Sequence, residues 1–527
     1  MTAFSFFGLL IVVFIIVIIV TIVNERIRLK QKLRTLWDRQ EPYEDFERKN
    51  ASYDDYFRLR SPHYNAHLLI DDKTWSDVNM DQIFRQMNYC FSSIGEMHLY
   101  ATLRNMFQVK DNKVLRAFKE DSTFRLNVSS LLSKIGKRTY PTYKQTRVIN
   151  TYHKSFIFLC LLPLLSIALW FVSPMFIFVT ILSMVINLAL SYKYLMVISK
   201  DLGDLFFAGR VIETAHKLAT LDVLKDQHDI DFSKFSKLFK YRFLLAQDSS
   251  IMGQVFAFFK QLFLIDYHIY NLLKEKLLNN EDEMFKCIEF VGDIDTAYAV
   301  SLWQETLPYY IEPTITNNQV AFEDLYHPLL SYPVANDFEF DKDALITGSN
   351  ASGKSTFMKS IAINLILAQS VRTVTAEAFT YRPGIIRTAM ANADDVMSGD
   401  SYFMAEIKSI KRLVDIQTKH PYYLFIDEIF KGTNTKERVA ASEAVLRHIH
   451  NLPTTKLMAA THDIELTQLL DDMCDNYHFN EKIEDDEILF DYTIKEGPAD
   501  TRNAIELLRI TGFPKTVYNK AIQNVKT

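Results

Sequence analysis

Apolar positions along this chain change texture three times. Ala3 to Val23 is an unbroken uncharged run, and Ser155 to Tyr192 is a second one of nearly double length. Between and after them, residues 71–154 and 193–310 carry few Gly or Pro, with apolar residues recurring at three-to-four spacing. That period predicts helices with one buried face. In the stripe Val255, Phe258, Phe259, Leu262 and Phe263 it reads as helix core. From about Asp337 short apolar runs alternate with helical stretches, as a parallel sheet with crossover helices requires. No fixed-period repeat or low-complexity tract interrupts this order.

A helix rises about 1.5 Å per residue, so the first run is long enough to cross a hydrocarbon core of about 30 Å. A cleaved signal peptide would want positive charge before the run. Here Arg26, Arg28, Lys30, Lys32 and Arg34 follow it, which predicts an anchor with its N-terminus outside. The run 155–192 is too long for one span and fits two, with Ser173-Pro174 near its middle for the turn. Lys144, Arg147 and Lys154 precede it, and Lys193 and Lys200 follow. Both flanks therefore read as cytoplasmic, as a two-span hairpin requires. The alternative is a buried core hairpin in a large soluble domain, which two such long uncharged stretches disfavour. The expected order is a transmembrane anchor (1–23), a cytoplasmic linker (24–70), a helical region (71–310) interrupted by the hairpin (155–192), and an ATPase domain (311–527). The localisation expected is a multi-pass cell-membrane protein with its C-terminal domain in the cytoplasm.

The 527 residues suit about three domains. At 48% hydrophobic residues, with 39 Phe, the chain has more apolar surface than a soluble core needs. A formal charge of −5 excludes a basic nucleic-acid footprint over the whole chain, though not a local patch. Cys90, Cys160, Cys287 and Cys474 are scattered and form no CxxC pair, which argues against a metal or disulfide framework and fits a reducing compartment. The acidic cluster Glu484-Asp485-Asp486-Glu487 reads as a solvated hairpin turn.

The chemistry gathers in the last third. Ala344-Leu345-Ile346-Thr347 is a short strand that runs into Gly348-Ser349-Asn350-Ala351-Ser352-Gly353-Lys354-Ser355, followed by Thr356 and a helix over Phe357 to Gln369. This is the G-x-x-x-x-G-K-[ST] pattern in its strand–loop–helix setting. Its glycines let backbone N–H groups wrap phosphates, and the helix N-terminus favours the anion. Lys354 would meet the β- and γ-phosphates of ATP, and the Ser355 hydroxyl would ligate Mg²⁺. Tyr422 to Ile426 is an apolar strand that delivers Asp427 and Glu428 to its C-terminal end. Asp427 would hold Mg²⁺, and Glu428 would polarise the attacking water as general base. A third strand, Lys456 to Ala460, ends in Thr461-His462-Asp463, where His462 is placed to sense the γ-phosphate.

Together, ITGSNASGKSTFMKSIA, ADDVMSGDSYFMAEI, IDEIFKGTNTKERVA and ATHDIELTQL resemble, in order and spacing, the ATPase domain of the MutS mismatch-repair family, within the wider ABC-type ATPases. The likeness runs from about 320 to 527. More weakly, DQIFRQMNYCFSSIGEMHLYATLRNMF and FVGDIDTAYAVS resemble the start and end of that family's helical core. The resemblance implies an α/β P-loop (ABC-type) ATPase domain beside a mostly α-helical MutS-core-like domain, here carrying transmembrane helices. It also implies a homodimer in which a signature segment of one subunit caps the nucleotide of the other. Ser401 matches the signature serine, Asn350 the loop asparagine, and Gly432-Thr433-Asn434-Thr435 the segment that communicates across the dimer.

The departures are specific. Residues 24–70 are too few for the family's mismatch-recognition domain, and Phe118-Lys119-Glu120 lies within the helical region, so it reads as a chance Phe-x-Glu. The 155–192 hairpin stands where the family's DNA-gripping clamp or its levers would be. Ser349 and Ala351 replace the usual loop residues. Pro333 takes the place of an adenine-stacking aromatic, for which Tyr332 is the substitute at hand. Three readings stay open at this stage: an ATPase acting on DNA near the membrane, an ATP-driven membrane switch or transport-linked ATPase, and a nucleotide-gated scaffold.

Overall fold

The computed structural model describes residues 3–43, 53–109, 112–137, 156–170, 172–241, 251–317, 320–349, 352–390, 402–415, 420–430, 433–452, 454–484, 487–499, 509 and 512–526. The chain divides into two compact units. One comprises residues 1–59, 87–100 and 110–305, and the other residues 60–86, 101–109 and 306–527.

The described part of the first unit is helical. Its first helix runs unbroken from Ala3 to Arg39, so the expected boundary at 23 falls inside a continuous helix. The far end is fixed by packing. Trp37 meets Tyr298 edge-on at 5.5 Å, the Arg125 guanidinium lies 4.2 Å over the Trp37 ring, and Gln40 donates to the Glu305 carbonyl. The core is organised by the long helix Glu281–Thr306. Its fully buried Asp295 accepts from the N–H groups of Phe91 and Ser92 and from the Ser92 hydroxyl. That carboxylate holds the donors that would otherwise be orphaned just ahead of the helix Ser93–Leu103.

The expected hairpin is two helices, Phe156–Trp170 and Phe176–Ala219, with Ser173 and Pro174 in the turn between them. Among the described residues one segment, Phe176–Tyr194, is long and apolar enough to cross a membrane, and Phe156–Trp170 is apolar but only 15 residues long. Their polarity is inverted relative to a soluble core. Ser166, Thr180, Ser183, Asn187 and Ser191 are buried, while Phe158, Leu165, Phe178 and Leu182 are exposed. The polar groups join the helices: the Thr180 hydroxyl donates to Ser166 Oγ at 2.9 Å, and Asn187 Nδ2 donates to the Leu159 carbonyl at 2.8 Å. One expectation is corrected here. Val255, Phe258 and Phe259 are not core, since all three side chains are exposed on the helix Ile251–Leu262, and Leu262 and Phe263 are only half-buried. Period identifies which side chains share a face, but not what covers that face.

The second unit has the expected α/β texture. Its strands are β1 (Thr314–Ile315), β2 (Val320–Leu325), β3 (Asn336–Phe340), β4 (Asp343–Thr347), β5 (Ala378–Tyr381), β6 (Ile385–Met390), β7 (Tyr422–Asp427), β8 (Thr455–Ala460), β9 (Cys474–His478), β10 (Glu481–Glu484), β11 (Glu487–Phe490) and β12 (Lys495–Glu496). A six-stranded sheet has the order β12-β9-β4-β8-β7-β6, in which β9, β4, β8, β7 and β6 are parallel and β12 is antiparallel to β9. A four-stranded sheet has the order β1-β5-β2-β3. The middles of the central strands are apolar, Ala344–Ile346, Leu424–Ile426 and Leu457–Ala460, as in a parallel sheet covered by helices on both faces. Leu345, Leu424, Ile426 and Leu457 pack in one cluster with Ile410, Leu413, Leu446 and Ile449 from helices Tyr402–Val414 and Thr435–His450. Of the acidic cluster, Glu484 pairs with Glu487 at the last rung of the β10–β11 hairpin before their connection, and Asp485 and Asp486 lie outside the described residues.

Residues from well before 311 complete this unit. The short helix Asp72–Asp77 lies along the edge strand β6. Asp71 pairs with Arg387 at 3.0 Å and also with Arg412. Buried Asp77 accepts from Thr388 Oγ1 at 2.7 Å and the Met390 N–H at 3.0 Å, and it pairs with Lys73 at 2.9 Å. The strap therefore covers an edge that would otherwise present unpaired backbone groups. Asp77→Ala is expected to destabilise this unit by about 2–3 kcal/mol, the worth of a lost buried carboxylate with charged and neutral donors. Denaturant titration of the solubilised chain, read by exposure of the buried Cys474 thiol, checks this. An unchanged midpoint would show that the strap is dispensable.

Candidate functional site

The parallel register brings the predicted residues to one sheet edge. Ile346 of β4 pairs with Ala460 of β8, Ala460 with Asp427 of β7, and Asp427 with Met390 of β6. These four residues form one row at the C-terminal ends of their strands. Each chain leaves that row within two residues: β4 into Gly348, β8 into His462 and β7 into Glu428. Two further bonds pin the exits, Thr461 N–H to the Ile346 carbonyl and Glu428 N–H to the Ala460 carbonyl, both at 2.9 Å. Ligands of open α/β sheets bind at such strand ends.

The loop after β4 depends on two left-handed glycines. Gly348 has φ +139°, and a Cβ there would meet the Phe479 carbonyl oxygen at 2.8 Å. Gly353 has φ +107° and is the residue that starts the helix Lys354–Ser370. Lys354 is buried and donates from Nζ to the Gly348 and Ser349 carbonyls at 2.7 and 2.6 Å, which folds the loop around its ammonium group. Ser352 Oγ donates to the Ser349 carbonyl at 2.8 Å, and Ser349 Oγ bonds to Glu481. Ser355 and Thr356 lie in the first turn of the helix, Ser355 half-buried and Thr356 exposed. The first turn of a helix offers N–H groups without an intrahelical acceptor, as anion binding requires. Asn350 and Ala351 lie outside the described residues, as do Ser401 and Gly432.

Asp427 and Glu428 differ in their surroundings. Asp427 Oδ1 is a buried carboxylate oxygen without a hydrogen-bond donor. Such an atom is costly unless a cation meets it, so the site fits a divalent metal with hard oxygen ligands. Glu428 has left-handed backbone at φ +60°, and Phe430 follows at φ +59°. That conformation costs a non-glycine residue of order 1 kcal/mol or more and is tolerated where function fixes it. Glu428 Oε1 lies 2.7 Å from His462 Nε2. The histidine expected to face a phosphate thus holds the expected general base. Behind it, Asp463 takes a two-pronged bond from Arg438 at 2.6 and 2.7 Å, tying this strand end to the helix Thr435–His450. Asn434 caps that helix by accepting from the Glu437 N–H at 3.0 Å, while Thr433 Oγ1 bonds the Glu437 carboxylate.

Sequence reasoning passed over several neighbours. Lys359 lies one and a half turns along the loop helix, and its charge interacts with Asp77 and Asp427. Burial holds its ammonium below the ordinary lysine range, against the pull of those two carboxylates. Burial also pushes His327 down to about 4, assisted by the Lys359 charge, so that imidazole is neutral at physiological pH. Asn434 and Glu437 form an N-x-x-E capping pattern legible in the sequence, whereas Arg438, whose partner is Asp463, carries no local signal. Lys359, Glu481 and Asp77 carry no local signal, since their partners are distant in sequence. Tyr332 is 95% exposed.

The second unit is an α/β fold that brings the Lys354 loop, a carboxylate pair and a histidine to the ends of the parallel strands β4, β7 and β8. Residues 344–527 match the family described as MutS domain V. The chain is similar to the DNA mismatch repair protein MutS of Streptococcus mutans serotype c (strain ATCC 700610 / UA159), at 28% identity over 306 residues, covering 56% of this chain and 36% of that protein. The protein of the same name from Streptococcus pyogenes serotype M1 is 28% identical over 293 residues, covering 53% and 34%. That from Streptococcus uberis (strain ATCC BAA-854 / 0140J) is 28% identical over 295 residues, again covering 53% and 34%. The chain therefore spans about a third of the length of these curated relatives.

Gly348→Ala adds a methyl group against the Phe479 carbonyl at a backbone angle that L-residues avoid. It is expected to destabilise the loop by about 1–3 kcal/mol and to weaken nucleotide binding at least tenfold. Equilibrium binding of a fluorescent ATP analogue measures this, and unchanged affinity would contradict the loop assignment.

Proposed function

We propose that this chain is a membrane-anchored ATPase of the MutS family that binds and hydrolyses ATP with Mg²⁺ and works as a homodimer. The observation that carries the reading is the meeting of the Lys354 loop, the donorless Asp427 oxygen and the Glu428–His462 pair at one sheet edge. Loop N–H groups and Lys354 bind the phosphates. Ser355 and Asp427 would hold Mg²⁺, which supplies charge neutralisation at the transferring phosphoryl group. Glu428 takes a proton from the attacking water, and His462 keeps its carboxylate aimed. Exposed Tyr332 is the candidate for stacking on adenine. Ser401 in trans supplies further donors to the phosphoryl group, because one lysine and one metal do not surround it.

The membrane part of the reading is supported by the inverted polarity of the 156–194 region, with hydroxyl and amide groups inside and Phe and Leu outside. Helices in lipid associate through such polar contacts. Together with the uncharged N-terminal run, this gives a multi-pass protein of the cell membrane with the ATPase domain cytoplasmic. DNA is the substrate class suggested by the name of the relatives, so the first reading couples ATP turnover to DNA binding near the membrane. The same hairpin favours a second reading, in which ATP-driven closure moves membrane helices and no DNA is bound.

Glu428→Gln is expected to lower turnover by at least about a hundredfold while ATP affinity stays within a few-fold. Phosphate release and equilibrium binding by the solubilised full chain measure both. Ser401→Arg should also bind ATP without turning it over, and mixing the two variants should restore part of the activity by forming one intact site. Full turnover by either variant alone would overturn the reading. DNA affinity that falls steeply with salt separates the DNA reading from the membrane-switch reading.

A further inference from the structure

The helix Ile251–Leu262 is built inside out. Its exposed positions include Val255, Phe256, Phe258 and Phe259, with both Phe258 and Phe259 at 51%, while its one charged residue, Lys260, is 3% exposed. Lys260 Nζ lies 3.0 Å from Asp266 Oδ1 and 5.0 Å from the Phe206 ring centre. A helix in water would turn the lysine out and the phenylalanines in. A charged pair hidden beneath exposed aromatics is the arrangement that a lipid environment selects.

Three features place this helix against the hairpin at a definite level. Asn187 Nδ2 donates to the Leu159 carbonyl of the first hairpin helix and also to the Leu262 carbonyl at 2.9 Å. Leu262 ends its helix, so this bond satisfies one of the carbonyls that a helix terminus leaves open. Asn187 sits within the span Phe176–Tyr194, roughly 10 Å along the helix from Tyr194 at about 1.5 Å per residue. At Tyr194 three aromatic rings gather, with Tyr194 to Tyr267 at 5.0 Å, Phe156 to Tyr194 at 5.6 Å and Phe156 to Tyr267 at 5.6 Å. Aromatic rings collect at the membrane–water interface. The chain then reverses at Leu264, which is buried with φ +53°, and returns as the helix Ile265–Leu278.

We propose that Ile251–Leu262 is a re-entrant element of the membrane-embedded region, with its Val255–Phe258–Phe259 face in the acyl chains of the bilayer. Its 12 residues are too few to span; an apolar segment of that length is a core helix or a re-entrant or interfacial one, and the exposed Val255–Phe258–Phe259 face is not that of a core helix. Non-helical backbone at membrane depth is tolerated where protein buries it. Here Asn187 satisfies the Leu262 carbonyl and Leu264 is buried. The proposal rests on the reading of 156–194 as membrane-embedded and extends it to a segment outside the long uncharged runs.

The test uses the full chain in phosphatidylcholine–phosphatidylglycerol vesicles, with the partly exposed Cys160 replaced by Ala and the three buried cysteines kept. An environment-sensitive fluorophore is attached at Phe258→Cys, at Val255→Cys as a second position on the same face, and at Leu165→Cys in the hairpin. Helix content by circular dichroism and a monodisperse elution profile, both matching the unsubstituted chain, certify the fold of each variant. The expected result is blue-shifted emission at all three positions, most of it lost to acyl-chain nitroxide lipids and little of it to aqueous iodide. Nitroxide quenching at Leu165→Cys alone, with iodide quenching at the other two, would overturn this proposal and leave the hairpin reading standing. Protection of Phe258→Cys and Val255→Cys from both quenchers would mean that protein, such as a second copy, covers the face, and would also overturn it. Iodide quenching at all three would overturn both readings.

Discussion

The parallel register of β4, β8 and β7 is the constraint on which the candidate site depends. The loop strand and the carboxylate strand are not neighbours, because β8 lies between them. Adjacent strands stand about 4.8 Å apart, so the loop and Asp427 are separated by roughly 10 Å. That gap suits a triphosphate end and its metal. The inserted strand also contributes chemistry, since the residue that leaves its end is His462, and His462 contacts Glu428. A one-residue slip of β8 would turn its whole side-chain set over and separate that pair. The bonds from Thr461 to Ile346 and from Glu428 to Ala460 lock the register at the row where function needs it.

Within the other unit, the hairpin region has inverted polarity. Hydroxyl, amide and ammonium groups point inward along 156–194 and 251–262, and large apolar side chains point outward. In water that arrangement loses on both counts, because burying polar groups costs free energy and exposing Phe and Leu forfeits the gain of burial. In hydrocarbon both signs reverse. The polar residues become the contacts that hold helices together, and the apolar ones face a matching solvent. The described residues thus carry a water-type core around the α/β sheet and the opposite polarity along the hairpin, which is what the proposed membrane reading rests on.

What was legible in the sequence was local. The strand–loop–helix at 344–370 and the strand ending in Asp427-Glu428 were readable because each signal occupies fewer than about 30 consecutive residues. The helical texture of 193–310 followed from period alone. The contact of His462 with Glu428 was not readable, because it follows from strand order. The strap of Asp71 and Asp77 on β6 joins positions some 300 residues apart, and neither end announces the other. The stripe at Val255, Phe258 and Phe259 shows the limit of periodicity most clearly: the shared face was right, and its burial was wrong. Asn350, Ala351 and Ser401 lie outside the described residues, so their parts rest on the family likeness.

The central claim is a hydrolytic site completed by a second copy of a chain held in a bilayer. The most direct test is the specific rate of Mg²⁺-dependent phosphate release in proteoliposomes as the lipid-to-protein ratio is raised. The account predicts turnover that declines per chain as dilution in the bilayer separates the partners. A specific rate independent of dilution would contradict the shared site, and no phosphate release at any density would contradict the hydrolytic reading itself.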